Sequence, residues 1–315
     1  MVVACGPPTN NTATTPAGQA KSAADVGGVS ALEALAKKEG QLNVIALPRD
    51  WANYGAILDA FKAKYGISIT SDNPDGSSQD EVNAVNQLNG TSRAPDVLDV
   101  GMAVALANTS LFAPYQVATW KDVPDAQKET TGLWVQDYGG YMSVGYDSAK
   151  VPAVTSLLDL NGSAFKGKVA LNGDPTTANA ALNGVMMAAI GNGGSVDNIA
   201  PGVDFFSKLN KSGNFVPVKA TTATVKNGTT PVVFDWDYLR AAHGTDVPTW
   251  KSFVPSNAVL GGYYAQAGNK NSPHPAAPRP REEFLHSNPC HHPRLTTHAP
   301  PVRQTATTPS TPTTT

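Results

Sequence analysis

Thiols are almost absent from this chain. Its two cysteines are Cys5 and Cys290, and none lies between them, so the body of the chain holds no disulfide framework and no cysteine-rich metal site. A Cys5–Cys290 bridge would have to join two segments that both read as unstructured. Charge is also scarce. Charged residues make up 15% of the 315 positions and the formal net charge is −2, which gives no long-range field suited to nucleic acid or an anionic membrane. No stretch approaches the roughly 18 consecutive apolar residues of a spanning helix. The GxSxG, HExxH and GxxxxGK[ST] patterns are missing, and with them the commonest nucleophile, zinc and phosphate-loop chemistries. What is present is a 41% hydrophobic share on a chain long enough for one large domain or two lobes.

Residues 6–28 carry almost no large apolar side chain, and their composition predicts a flexible tether. Order is expected from Ser30, read as an N-cap with Glu33 completing a capping box; Gly40 closes that helix. The run 42–47, ending at Pro48, reads as a buried parallel strand. A helix follows with Ile57, Leu58, Phe61 and Tyr65 on one face, then a strand at 67–70. Ser78–Glu81 reads as a second capping box, opening a helix with Val82, Val85 and Leu88 inward. The run 97–100 is a third strand. Strand, helix, strand, helix, strand predicts a parallel α/β sheet with right-handed crossovers. A looser version spans 141–255, with strands at 142–146, 168–171 and 231–236 and helices at 176–191 and 198–213. A return strand is expected at 259–267. From Pro273 the chain is crowded with Pro, His, Arg and Thr; helix is expected only over 282–285 and disorder elsewhere.

Several pieces, in their order and spacing, resemble the type 2 solute-binding proteins of ABC importers, in the group serving polyamines, ferric iron, thiamine and phosphonates. They are KKEGQLNVIALP (37–48), FKAKYGISI (61–69), SSQDE (77–81), APDVLDVG (94–101), GYDSAKV (145–151), FKGKVALNGDP (165–175) and TTPVVFDWDY (229–238), covering about 30–270. The resemblance implies an α/β, two-lobed fold, each lobe a sheet flanked by helices, with a hinge between them. The expected division is 1–29 as tether, 30–140 plus 256–288 as lobe 1, 141–255 as lobe 2 and 289–315 as a disordered tail. It further implies a non-enzymatic monomer without cofactor or nucleic-acid partner. Such a protein captures a small solute in the interlobe cleft and hands it to a membrane permease driven by a separate ATPase. Thiamine-degrading enzymes share the scaffold but use a cleft cysteine, which the body of this chain lacks.

In open α/β sheets a cleft meets strand carboxyl ends and helix N-termini. Asp50, Trp51, Tyr54, Ser78, Gln79 and Asp99 are therefore candidates in the first lobe, with Pro48, Arg49, Ser77 and Met102 beside them. Tyr141, Asp174, Trp236, Asp237 and Tyr263 are candidates in the second half, with Tyr238 adjacent. Carboxylates paired with flat aromatic faces suit an ammonium group, and a polyamine such as spermidine or putrescine is the reading that also fits the resemblance. Blander roles stand beside each. Asp50 and Ser78 are ordinary helix caps, and Trp51 and Tyr54 could pack a helix on its sheet. In a strand only one Asp of Asp235-Trp236-Asp237 faces the cleft, and Tyr263-Tyr264 point to opposite faces. Arg49 could pair a phosphonate. His286, Cys290, His291, His292 and His298 fit no standard zinc spacing, and no metal site is expected.

Both termini depart from the resemblance. Val2-Val3-Ala4-Cys5 fits a bacterial lipobox, with Cys5 the lipid attachment point, but the signal segments that precede one are missing. The expectation is a misplaced start and a full gene product that is exported and anchored outside the cytoplasm. Residues 274–292 keep the frame of the family's end but place Pro and Arg where apolar residues belong, which reads as a frameshifted or truncated terminus. Ferric iron, thiamine or a phosphonate as ligand, or a truncated non-functional copy, are the alternatives.

Overall fold

The computed structural model describes residues 15–287. Cys5, Cys290, His291, His292 and His298 lie outside them. Helix α1 (Val29–Glu39) leads into β1 (Gln41–Ile45), α2 (Tyr54–Tyr65) and β2 (Ser68–Asp72). Then come α3 (Ser78–Gln87), β3 (Val97–Gly101), α4 (Met102–Ala107) and the two-residue β4 (Phe112–Ala113). The long β5 (Val135–Asp147) is followed by β6 (Val169–Leu171), α5 (Asn179–Gly191), α6 (Ala200–Ser212) and α7 (Thr222–Asn227). The remainder is β7 (Val232–Trp236), α8 (Leu239–Asp246), β8 (Trp250–Phe253), β9 (Gly261–Asn269) and α9 (Pro278–Leu285).

The helical faces read from periodicity are the ones that pack. Ile57, Leu58, Phe61 and Tyr65 of α2 are all buried, and each such side chain contributes about 2 kcal/mol in area terms. Two caps differ from the expected position, by two residues in α1 and by one in α3. Helix α1 begins at Val29 with Gly28 as N-cap at φ 103°, so Ser30 lies inside the first turn. In α3 the cap is Ser77, whose Oγ accepts the Asp80 amide at 3.2 Å while Asp80 Oδ2 accepts the Ser77 amide at 2.8 Å. That shift matters for the site, because it leaves Ser78 and Glu81 on the buried face of the helix.

Strand pairing departs from the expected parallel sheet. β1 and β2 form a two-stranded parallel pair of their own, in register Gln41↔Ser68. β3 instead pairs antiparallel with β9, Asp99 opposite Gln266, within a seven-stranded sheet ordered β3-β9-β5-β7-β6, with β4 added on β9 and β8 on β5. A backbone hydrogen bond from the Asp96 amide to the Asn43 carbonyl (2.9 Å) ties β1 to the start of β3. The first half of β5 pairs with β9 and its second half with β7 and β8, so one strand serves both ends of the sheet. The register shifts between Gln136 and Gly139. A Cβ at Gly139 would stand 2.3 Å from the Gly262 carbonyl oxygen, so this bulge requires glycine.

Both composition-based expectations of disorder fail within the described residues. Residues 15–28 form two 3₁₀ turns and bury Ala20, Ala23 and Val26 with Leu32, Tyr115 and Val117. At the other end, Pro278–Leu285 is a packed helix. Its prolines sit in the first turn, where the missing N–H groups have no intrahelical role. Polar side chains then do the anchoring. Arg279 donates to the carbonyls of Ala20 (3.0 Å) and Gly18 (2.8 Å), and Glu283 accepts from the Tyr115 hydroxyl at 2.7 Å. Glu39 accepts the amides of Ala276 and Ala277. Composition counts these groups as solvated; specific buried partners make them structural.

Candidate functional site

A cavity of about 340 Å³ opens where the loops after β1 and β2, with Asp99 of β3, face the loop after β6, the residues leading into α7 and Asp235 of β7. Its backbone is unusual. Non-glycine residues with positive φ are, among the described residues, Ala46 (53°), Ala52 (45°), Asn53 (62°) and Asn73 (38°). Ala46 lines the cavity, and the other three flank its lining residues Trp51 and Pro74. Left-handed backbone without glycine is costly by about 1–3 kcal/mol per residue, and its clustering here marks a rim shaped against local preference.

The deep wall is a hydrogen-bonded chain. The Trp51 indole N–H donates to the Tyr138 hydroxyl at 2.7 Å, and that hydroxyl donates to Asp99 Oδ2 at 3.1 Å. Gln266 donates to Asp99 Oδ1 (2.8 Å) and to the Tyr54 hydroxyl (3.1 Å). Tyr138 stacks on Tyr264 with centroids 5.5 Å apart, and Trp51 meets Tyr264 edge-on at 5.8 Å. Burial, with the Asp99 charge adding to it, raises the Tyr138 hydroxyl well above the usual phenol value; burial likewise raises Tyr264. Below them, Ser78 Oγ accepts the Gly101 amide at 3.0 Å and Glu81 Oε2 accepts the Asp99 amide at 2.8 Å. On the opposite wall Asp235 accepts from Asn172 Nδ2 and from the Trp236 amide, each at 2.8 Å, with His243 Nε2 4.0 Å away. Two hydrogen bonds join the segment at the start of α7 to the loops after β1 and β2: Thr222 Oγ1 donates to Asp50 Oδ2, and Lys219 Nζ donates to the Asp75 carbonyl.

Among the residues singled out from sequence, Asp50, Trp51, Ser78 and Asp99 line this cavity, as do Pro48 and Ser77. The others sit elsewhere. Tyr54 is fully buried behind the wall, where it supports Gln266. Gln79 pairs with Asn83 at 3.1 Å. Tyr141 is half exposed and its amide donates to Asp237, so those two hold each other outside the cavity. Asp174 is exposed and caps its own turn through Thr176, which also lowers its carboxyl from the ordinary value. Arg49 is paired with Asp59 on the surface.

Trp236 is in the core, stacked on Tyr238, with its indole N–H directed at the Tyr264 hydroxyl (3.3 Å). Tyr263 packs beside Val123 and Val135. In both pairs the immediate sequence neighbour faces the cavity instead, Asp235 in one and Tyr264 in the other. Successive strand side chains alternate faces, and pattern alone leaves the phase open. Glu81, Tyr138, Asn172, Asn179, Lys219 and His243 also line the cavity and were missed. Asn172 follows β6 directly, so the strand-end rule could have found it. Glu81 was hidden by its reading as a capping residue.

No protein-family model and no curated protein matches the chain. Solved structures do. The periplasmic binding protein P5PA aligns with a TM-score of 0.69 at 16% identity, covering 88% of this chain and 89% of the other. The periplasmic binding protein AfuA from Actinobacillus pleuropneumoniae, solved with fructose-6-phosphate, aligns at 0.68 and 14% identity, covering 87% and 88%. The spermidine/putrescine ABC-transporter substrate-binding protein PotD from Streptococcus pneumoniae, in complex with calcium and HEPES, aligns at 0.61 and 13%, covering 84% of each chain. The chain has the two-lobed α/β fold of the periplasmic binding proteins.

Proposed function

We propose that this protein is the extracytoplasmic solute-binding component of an ABC importer, binding a small organic cation of the polyamine type rather than catalysing a reaction. One observation carries the ligand class. Asp50, Asp75, Asp99 and Asp235 line one cavity together with Trp51, Tyr138 and Tyr264, against a single lysine and a single histidine among the described residues. Carboxylates give an ammonium charge-assisted hydrogen bonds, and aromatic faces add cation–π attraction and cover methylenes. The hinge between lobes supplies capture by closure, and delivery falls to a membrane permease with a separate ATPase. The division into lobes (30–140 with 256–288, and 141–255), a monomeric state and lipid anchoring through Cys5 belong to the same reading.

A thermal-shift panel of putrescine, spermidine, thiamine, ferric citrate and aminoethylphosphonate tests the ligand class. Saturable stabilisation by the amines is expected, about 2.7 kcal/mol at a hundredfold excess over Kd. A shift with ferric citrate or the phosphonate alone sinks the cation reading. Turnover of any of the panel compounds would overturn the binding-protein reading itself.

A further inference from the structure

The deep wall of the cavity brings two acid side chains into one buried site. Glu81 Oε2 accepts the Asp99 amide at 2.8 Å, Glu81 is 1% exposed and Asp99 6%, and both line the cavity. A buried carboxyl with a second acid close by is held toward its neutral form until a counter-charge arrives. Burial first, and the Asp99 charge second, hold the Glu81 carboxyl well above its ordinary value. Asp80, on the same helix, adds to the rise. The Asp99 amide and the Arg281 guanidinium, reaching Glu81 from β3 and α9, oppose it.

We propose that ligand binding at this site is a cation-for-proton exchange in which an arriving ammonium displaces the proton of Glu81. The inference rests on the organic-cation reading above and adds its regulation. The balance is simple: a neutral Glu81 carboxyl and a free ammonium become a carboxylate–ammonium pair, and one proton goes to the buffer. The charge inside the cavity is unchanged by the exchange, so the site accepts a cation without adding net charge to a water-poor interior. Affinity then rises about tenfold per pH unit for as long as Glu81 is protonated in the free protein. An extracytoplasmic receptor built this way releases its amine as the surroundings acidify.

Titration calorimetry with putrescine and with spermidine at pH 7, in buffers of low and high ionisation enthalpy, reads this directly. The measured heat should vary linearly with buffer enthalpy, with a slope whose sign reports proton release on amine binding. Glu81→Gln keeps the shape of the protonated acid but cannot give up a proton to pair the ammonium; it should fold, bind the amine more weakly and show a slope near zero. Heat that is independent of buffer in the natural protein overturns the exchange while leaving the cation reading intact. A slope that survives in Glu81→Gln overturns the assignment to Glu81. No heat with either amine, in protein that thermal shift shows to bind another panel compound, overturns the cation reading and the exchange together.

Discussion

Replacing Tyr138 with Phe isolates the hydrogen-bonded chain at the heart of the cavity. The ring keeps its volume and its stacking on Tyr264, so no void opens and only the hydroxyl is lost. Two hydrogen bonds go with it, the one from the Trp51 indole at 2.7 Å and the one to Asp99 at 3.1 Å. A neutral hydrogen bond is worth about 1 kcal/mol net and one to a charged group about 1.5–3, so a stability loss of about 2–4 kcal/mol is expected. Urea unfolding followed by tryptophan fluorescence measures it as a shift in midpoint at unchanged slope. The same change releases one of the groups orienting Asp99 and should weaken spermidine binding about tenfold, read by calorimetry. A stability loss below about 0.5 kcal/mol together with unaltered spermidine affinity would refute the view that this chain of contacts holds the site.

Three further outcomes are expected. Arg281 is 3% exposed and its two terminal guanidinium nitrogens find no hydrogen-bond partner among the described residues. With Glu81 and Glu282 held toward their neutral forms, Arg281→Met removes a poorly compensated buried charge and should stabilise the protein by about 1–3 kcal/mol near neutral pH, and a lowered melting temperature in calorimetry contradicts that reading of α9. Asp235→Asn should abolish the spermidine thermal shift while Asp237→Asn, outside the cavity, leaves it in place; the reverse pattern means the strand phase at the site is misassigned. Burial raises the Glu282 carboxyl to about 8, opposed by the Arg279 and Arg281 charges. Its folded-state value exceeds the unfolded one, so its contribution is complete below about pH 4.5 and is lost as pH rises through about 8. Melting temperature should fall over that window, and Glu282→Gln should flatten the fall; an unchanged slope in the variant assigns the pH dependence to other groups.

Much of the local architecture is written in short-range patterns. The 3.6-residue spacing of Ile57, Leu58, Phe61 and Tyr65 and the apolar runs at 42–47, 97–100 and 231–236 each correspond to an element of the structure. Such patterns report which face of an element is apolar, and that is enough for element type and fold class. They say nothing of partners far along the chain. The pairing of β3 with β9, Asp99 against Gln266, joins residues separated by most of the chain, and no local spacing encodes it.

The site divides along the same line. Asp50, Trp51 and Ser78 were legible because they follow a strand or open a helix, where backbone geometry alone directs side chains toward a cleft, and Asp99 because it lies in the apolar run read as the third strand. Asp235 and Tyr264 were not, because a strand of alternating faces has two phases and tertiary packing selects one. Trp236, the larger and more apolar side chain, takes the core and leaves Asp235 to the cavity. Order in the segments 15–28 and 273–287 was likewise a tertiary decision. Composition predicts that polar, proline-rich chain stays solvated, but Arg279, Glu283 and Glu39 find hydrogen-bond partners that exist only once the body has folded. The sequence by itself determined an α/β chain with an acidic, aromatic set of strand-end residues. Which of those residues meet around one cavity was decided by long-range pairing, because contact across the chain depends on packing that no local pattern contains.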